Sequence, residues 1–120
     1  MKSKFDKMHT DAMQLAELAD WHRNYPDVAR LLHLAAAKLE LMVAQESNGE
    51  PSKSIFYRSA ASCAFCANEH DFADHIIDNA FRDCKLPLDI EDELLEIRTQ
   101  IAVVEDLKSA VDLSREEDKR

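Results

Sequence analysis

The sequence predicts an all-α fold of about five helices: two helical hairpins stacked on each other, followed by a long C-terminal helix. Three observations carry this expectation. The 120 residues contain one glycine, Gly49, and three prolines, Pro26, Pro51 and Pro87. A β-protein of this size needs several tight turns built with Gly or Asn-Gly pairs. Ala, Leu, Glu and Lys are abundant, and these residues favour helices. Apolar residues also recur at helical spacing in five separate segments. Hydrophobic residues make up 46% of the chain and charged ones 32%, a mixture that supports one domain with a real core and not a disordered chain.

The first hairpin is expected over residues 10–46. Residues 1–9 read as a frayed start, and Thr10-Asp11 as an N-cap pair, because short oxygen-bearing side chains satisfy free N–H groups at a helix start. Leu15, Ala16 and Ala19 then share a face of a helix over 10–23. Asn24-Tyr25-Pro26-Asp27 breaks it: Asn tolerates the left-handed conformation past a helix end, and Pro suits a first helical turn. A second helix over 26–45 is apolar on more than one side, with Val28, Leu31, Leu32, Leu34, Ala35, Leu39, Leu41 and Met42. Such a helix is packed by several neighbours.

Ser47-Asn48-Gly49 and Pro51-Ser52 mark the one clear loop. The second hairpin is expected over 52–84. Its first helix, 52–67, carries small residues on its inner face: Ala60, Ala61, Ala64 and Ala67. Asn68 ends it, and a helix over 70–83 buries Phe72, Ala73, Ile76, Ile77 and Ala80. The C-terminal segment, 88–113, opens after Pro87 with Asp89 as cap. Ile90, Leu94, Ile97, Ile101 and Val104 form its seam. Residues 114–120 are polar and read as a fraying tail.

The two hairpins align at a constant offset of 44 residues (Asn24 to Asn68). Asp27 meets Asp71, Ala29 meets Ala73, Leu32 meets Ile76, Ala36 meets Ala80 and Ala16 meets Ala60. Stacked hairpins are how repeats of this kind share a core.

The second unit resembles a degenerate tetratricopeptide repeat. Tyr57, Ala60-Ala61, Ala64, Asn68, Ala73, Ile77, Ala80 and Pro87 carry the likeness over residues 54–87. Met13, Ala16, Asn24, Ala29, His33 and Ala36 carry it over residues 10–36. Asn stands where the family has Gly at both turns, Ala64 and Asp20 replace its second aromatic, and the 44-residue offset is long for the family. The resemblance implies that the last helix caps the array. It also implies a groove lined by one face of each first helix: Gln14, Leu18 and Trp21 in unit one, and Arg58, Ser62 and Phe65 in unit two. Each triplet has spacing i, i+4, i+7 and so shares a helix face. Trp21 and Phe65 occupy equivalent positions and could anchor a partner's side chain, unless packing buries both rings.

A net charge of −9 argues against direct binding to a phosphate backbone, which is driven by Lys and Arg. It leaves open an acidic mimic that occupies a nucleic-acid-binding partner. Residues 1–8 are polar, no apolar leader core follows, and no stretch suits a bilayer. With three cysteines, the expectation is a cytoplasmic protein with reduced thiols and no membrane association.

Cys63, Cys66, His70 and His75 contain the ligand types of a zinc site. The two cysteines lie inside a predicted helix among alanines, however, where free Cys packs as a small hydrophobe. No metal or cofactor is expected. Asp71/His75 and Asp74/Asp78 stand at i, i+4 and read as a solvated face. One glycine excludes a Gly-rich phosphate loop, and neither a G-x-S-x-G elbow nor an H-E-x-x-H pair occurs. No residue reads as catalytic.

The expected function is a non-catalytic interaction module that binds a protein or peptide partner through the hairpin groove. The alternatives are the acidic mimic, a metal-binding regulator, or a small subunit of a larger assembly. The apolar distal part of the last helix, Val104, Leu107 and Val111, suggests either folding back over the groove or a homodimer paired through that helix.

Overall fold

The computed structural model describes residues 4–50 and 52–118. Among them are five helices and no strand: α1 (Lys4–Trp21), α2 (Pro26–Glu46), α3 (Ser52–Cys66), α4 (His70–Asp83) and α5 (Leu88–Asp118). More than three quarters of the chain is therefore helical, and the helix packing is consistent with a hairpin arrangement. Residues 1–3 of the expected frayed start, Pro51 of the expected loop, and residues 119–120 of the expected tail lie outside the described residues.

Helix α1 begins six residues before the predicted cap. Thr10 does not cap it: its hydroxyl donates to the Asp6 carbonyl at 2.9 Å, one turn back inside the helix. The earlier start follows from a stripe of Phe5, Met8, His9, Ala12, Ala16 and Ala19, each buried or half-buried. The Lys and Asp residues between Phe5 and Met8 conceal that stripe in the sequence. Helix α5 is also longer than predicted. Its 31 residues run on to Asp118, into the segment expected to fray, which has no Gly or Pro to end the helix.

The two turns differ in backbone. Among the described residues, only Asn68 takes a left-handed conformation, with φ 60°. The Glu69 N–H reaches the Ala64 carbonyl at 3.0 Å, and the Asn68 N–H reaches Phe65 at 2.9 Å. This is the paired six-to-one and five-to-two closure of a Schellman end. Asn24, predicted to act likewise, does not. Its turn closes by short bonds, including Tyr25 N–H to the His22 carbonyl at 2.8 Å, before Pro26 opens α2. The aligned asparagines thus do different work.

Helix α3 is the hub. Tyr57, Ala60, Ala61 and Ala64 are fully buried. They belong to one core cluster with Ala37 and Ala44 of α2, Ala73, Ile76, Ile77 and Ala80 of α4, and Ile90, Leu94 and Ile101 of α5. Alanine faces let backbones approach closely, so α3 accommodates α2, α4 and α5 together. Helix α1 packs on α2 instead and has little direct contact with α3 or α5.

Ion pairs and a histidine–carboxylate hydrogen bond fasten α5 to this core. Arg98 reaches Asp78 at 2.6 Å and Asp74 at 3.2 Å on α4. Arg58 of α3 meets Glu93 at 3.1 Å. His70 at the start of α4 meets Glu105 at 2.7 Å. Beyond Glu105 the helix runs on without cover: Leu107, Val111 and Leu113 are exposed, as is Val103, while Val104 is half-buried. The helix is uninterrupted, so its distal half does not fold back over the groove. The chain is correspondingly elongated, at 64 × 31 × 18 Å with a radius of gyration of 16.2 Å, against about 13–14 Å for a compact chain of this length.

Two stability measurements check this packing. Replacing Ala73 with Leu overfills the α3–α4 crossing and should cost about 1–3 kcal/mol in urea denaturation. An unchanged midpoint would contradict the close crossing. At Asn68, substitution by Gly should be nearly neutral, whereas Ala should cost about 1 kcal/mol because it lacks the short polar side chain by which Asn tolerates the left-handed region. Equal effects of the two substitutions would contradict the Schellman assignment.

Candidate functional site

A groove opens where α1 and α5 fail to meet. Its volume is about 660 Å³. Helix α1 contributes His9, Ala12, Met13 and Ala16. Helix α3 contributes Ile55, Arg58, Ser59, Ser62 and Cys63, and α5 contributes Glu93, Glu96, Ile97 and Gln100. From α2 comes a single residue, Glu40.

Glu40 is the unusual element. It is only 2% exposed. The buried stripe of α2 runs Ala36, Ala37, Glu40, Val43 and Ala44, so helical periodicity places a carboxylate where the packing calls for an apolar side chain. One oxygen, Oε1, lies 2.7 Å from His9 Nδ1. The other, Oε2, is buried without a hydrogen-bond partner. A buried polar atom without a partner is costly and calls for an explanation. Burial pushes the Glu40 pKa upward, against the opposing hydrogen bond and charge of His9. His9 itself packs against Phe56, with ring centroids 5.0 Å apart.

Burial holds all three cysteines in the thiol form. Burial, with smaller contributions from Cys66 and Glu40, pushes the Cys63 thiol up to about 12. Burial also raises Cys66, with Asp20 adding to it. Cys84 is raised to about 11, again chiefly by burial. The thiolate is the reactive and metal-binding form. The remaining members of the zinc-type set are engaged elsewhere. His70 stacks on Phe65 with centroids 5.6 Å apart and bonds Glu105, while His75 lies 3.3 Å from the Asn79 amide. Among the described residues, no group of three or more His, Cys, Asp or Glu is placed to hold a metal ion. Asp74 and Asp78 are bridged by Arg98 and do not form a free acidic row.

The six groove residues expected from the sequence separate. Arg58 and Ser62 line the groove. Gln14 sits on an adjoining depression with Thr10, Met13, Ala16, Glu17 and Asp20. Leu18 and Trp21 are exposed, Trp21 at 80%, and neither lines the groove. Phe65 is half-buried against His70 and also lies outside it. The two rings are therefore neither brought together in the groove nor both buried beneath α5. The residues that sequence reasoning missed are Glu40, His9 and the α5 wall. A lone carboxylate on the inner face of an apolar helix was the available signal.

Among the described residues, no helix is long and apolar enough to cross a membrane. Compared with protein-family models, with curated proteins and with solved structures, the chain matches none. Function is therefore argued from the site alone.

A carboxyl whose pKa is raised by folding holds its proton better in the folded chain. Its contribution to stability is full below the ordinary carboxyl value and is lost as pH rises through the raised one. Glu40→Gln should therefore gain on the parent chain as pH rises above the ordinary carboxyl range, by about 1–3 kcal/mol. Urea denaturation across that rise in pH checks it. A difference that is flat with pH, or a variant less stable at the upper end, would show that the buried carboxylate is fully compensated.

Proposed function

We propose that this chain is a non-catalytic protein-interaction module that takes a segment of a partner protein into the groove between α1, α3 and α5. The observation that carries this reading is Glu40, a buried carboxylate with one covered and unsatisfied oxygen, in the lining of an open, mostly apolar cleft. Clefts of about 300–1,000 Å³ with a few convergent polar groups are the usual form of binding sites. The raised thiols supply no activated nucleophile. Both first helices, α1 and α3, line the cleft, which supports the tetratricopeptide-like reading, in which first helices face the partner. Helix α5 supplies the third wall, so what resembles a capping helix also takes part in binding.

Capture from the native cell followed by mass spectrometry, with the parent chain and Ser62→Trp as baits, tests the proposal. Ser62 is exposed and lines the groove, so an indole there fills the cleft without entering the core. A partner held by the parent chain should be lost by Ser62→Trp and kept by Leu113→Glu, which alters only the exposed distal part of α5. A partner that Ser62→Trp retains and Leu113→Glu loses would move the interaction to the distal helix and end the groove reading.

A further inference from the structure

We infer that the groove seats a primary alkylammonium group, as carried by a lysine side chain, with Glu40 accepting its N–H. This deepens the binding-module reading and rests on it.

The argument begins with the number of free oxygens. Glu40 is 2% exposed. Its Oε1 is engaged by His9 at 2.7 Å, and only Oε2 lacks a partner. A guanidinium presents a planar fork that is best matched by both oxygens of a carboxylate. One free oxygen suits a point donor, and an ammonium is a point charge with three rotatable N–H groups. A neutral apolar ligand would leave Oε2 as unsatisfied as before, and an anion would add repulsion to it.

The walls suit the stem of such a group. Met13, Ile55 and Ile97 line the groove and can cover an alkyl chain while its charged end reaches a polar partner. Arg58 does not neutralise Glu40, because it is paired with Glu93 at 3.1 Å. Glu96, on the same α5 wall, adds negative charge at the rim. A chain of net charge −9 draws cations toward it over distance. Contact with Oε2 requires a small side-chain rearrangement, since that atom is covered. The broad terminal torsion of a carboxylate and the flexible thioether of Met13, 60% exposed, allow one.

The test uses the full chain, labelled with ¹⁵N. It is titrated with a capped Ala-Ala-Lys-Ala-Ala peptide, with its Nε-acetyllysine twin, and with 1,5-diaminopentane. Acetylation removes the charge and leaves the stem. The lysine peptide should shift the amides of Ala12, Met13, Ser59 and Ile97, and the acetylated twin should bind at least tenfold more weakly. Glu40→Gln, expected to be no less stable than the parent, should erase that difference. Diaminopentane binding as tightly as the peptide would point to a free amine as the natural source. Tighter binding of the peptide would point to a chain-borne lysine. Either result supports the ammonium assignment. Twins that bind alike, or an absence of groove shifts with all three probes, would overturn it. If Ser62→Trp nevertheless loses its captured partner, the groove reading stands and only the ammonium falls.

Discussion

The alanine surface of α3 is the constraint on which the rest of the molecule depends. A helix normally buries one stripe and leaves the other side to solvent. Here Ala60, Ala61, Ala64 and Tyr57 are all fully buried, because three helices press on them. Small side chains make this possible by letting the helix backbones come close. They also supply little apolar area of their own, so Ile76, Ile77, Ile90 and Leu94 of the surrounding helices fill the core. Apart from Tyr57, the largest fully buried side chain, the bulk lies on the neighbours and the closeness on the hub. A larger residue at the hub would push out α2, α4 or α5, and with α5 would go one wall of the groove.

The groove follows from that arrangement. Helix α1 is held mainly by α2, while α5 is drawn toward α3 and α4 by Arg58, Arg98 and His70. The space between α1 and α5 is left unfilled, and α2 sends one carboxylate to its lining. A chain selected only for stability would place an apolar residue at Glu40, since an incompletely paired buried charge is a net cost. Under the proposed reading, that cost is offset when a ligand group reaches the unpaired oxygen.

The fold was largely legible in the sequence, and the site only in part. Rarity of glycine, the alanine stripe of α3 and the seam of α5 each report on local helix formation, which periodicity captures directly. The helix ends were less legible. Phe5 and Met8 act through tertiary burial, and the exposed end of α5 persists through propensity and not through packing. The groove was half-read. Arg58 and Ser62 were found because a helix face is a local property. Trp21 and Phe65 were paired by an assumed symmetry between the hairpins, and that symmetry fails at the turns, where Asn68 is left-handed and Asn24 is not. Glu40 and the α5 wall depend on which helix lies against which, and spacing along one chain does not contain that information.

The end of α5 has a thermodynamic consequence of its own. From Asp106 to Asp118 the backbone is helical, yet its apolar side chains gain nothing from burial. An isolated helix of roughly 13 residues is marginal in water because nucleation is costly. This segment avoids nucleation by growing from a template already held at Glu105, and each further residue has only the propagation term to sustain it. Its amides should therefore exchange with solvent along a gradient, slowest near the His70 contact and fastest toward the end, with opening free energies far below that of the core. Warming would shorten the molecule from one end while the five-helix core stayed folded. Its hydrodynamic length would then respond to temperature well before any cooperative transition.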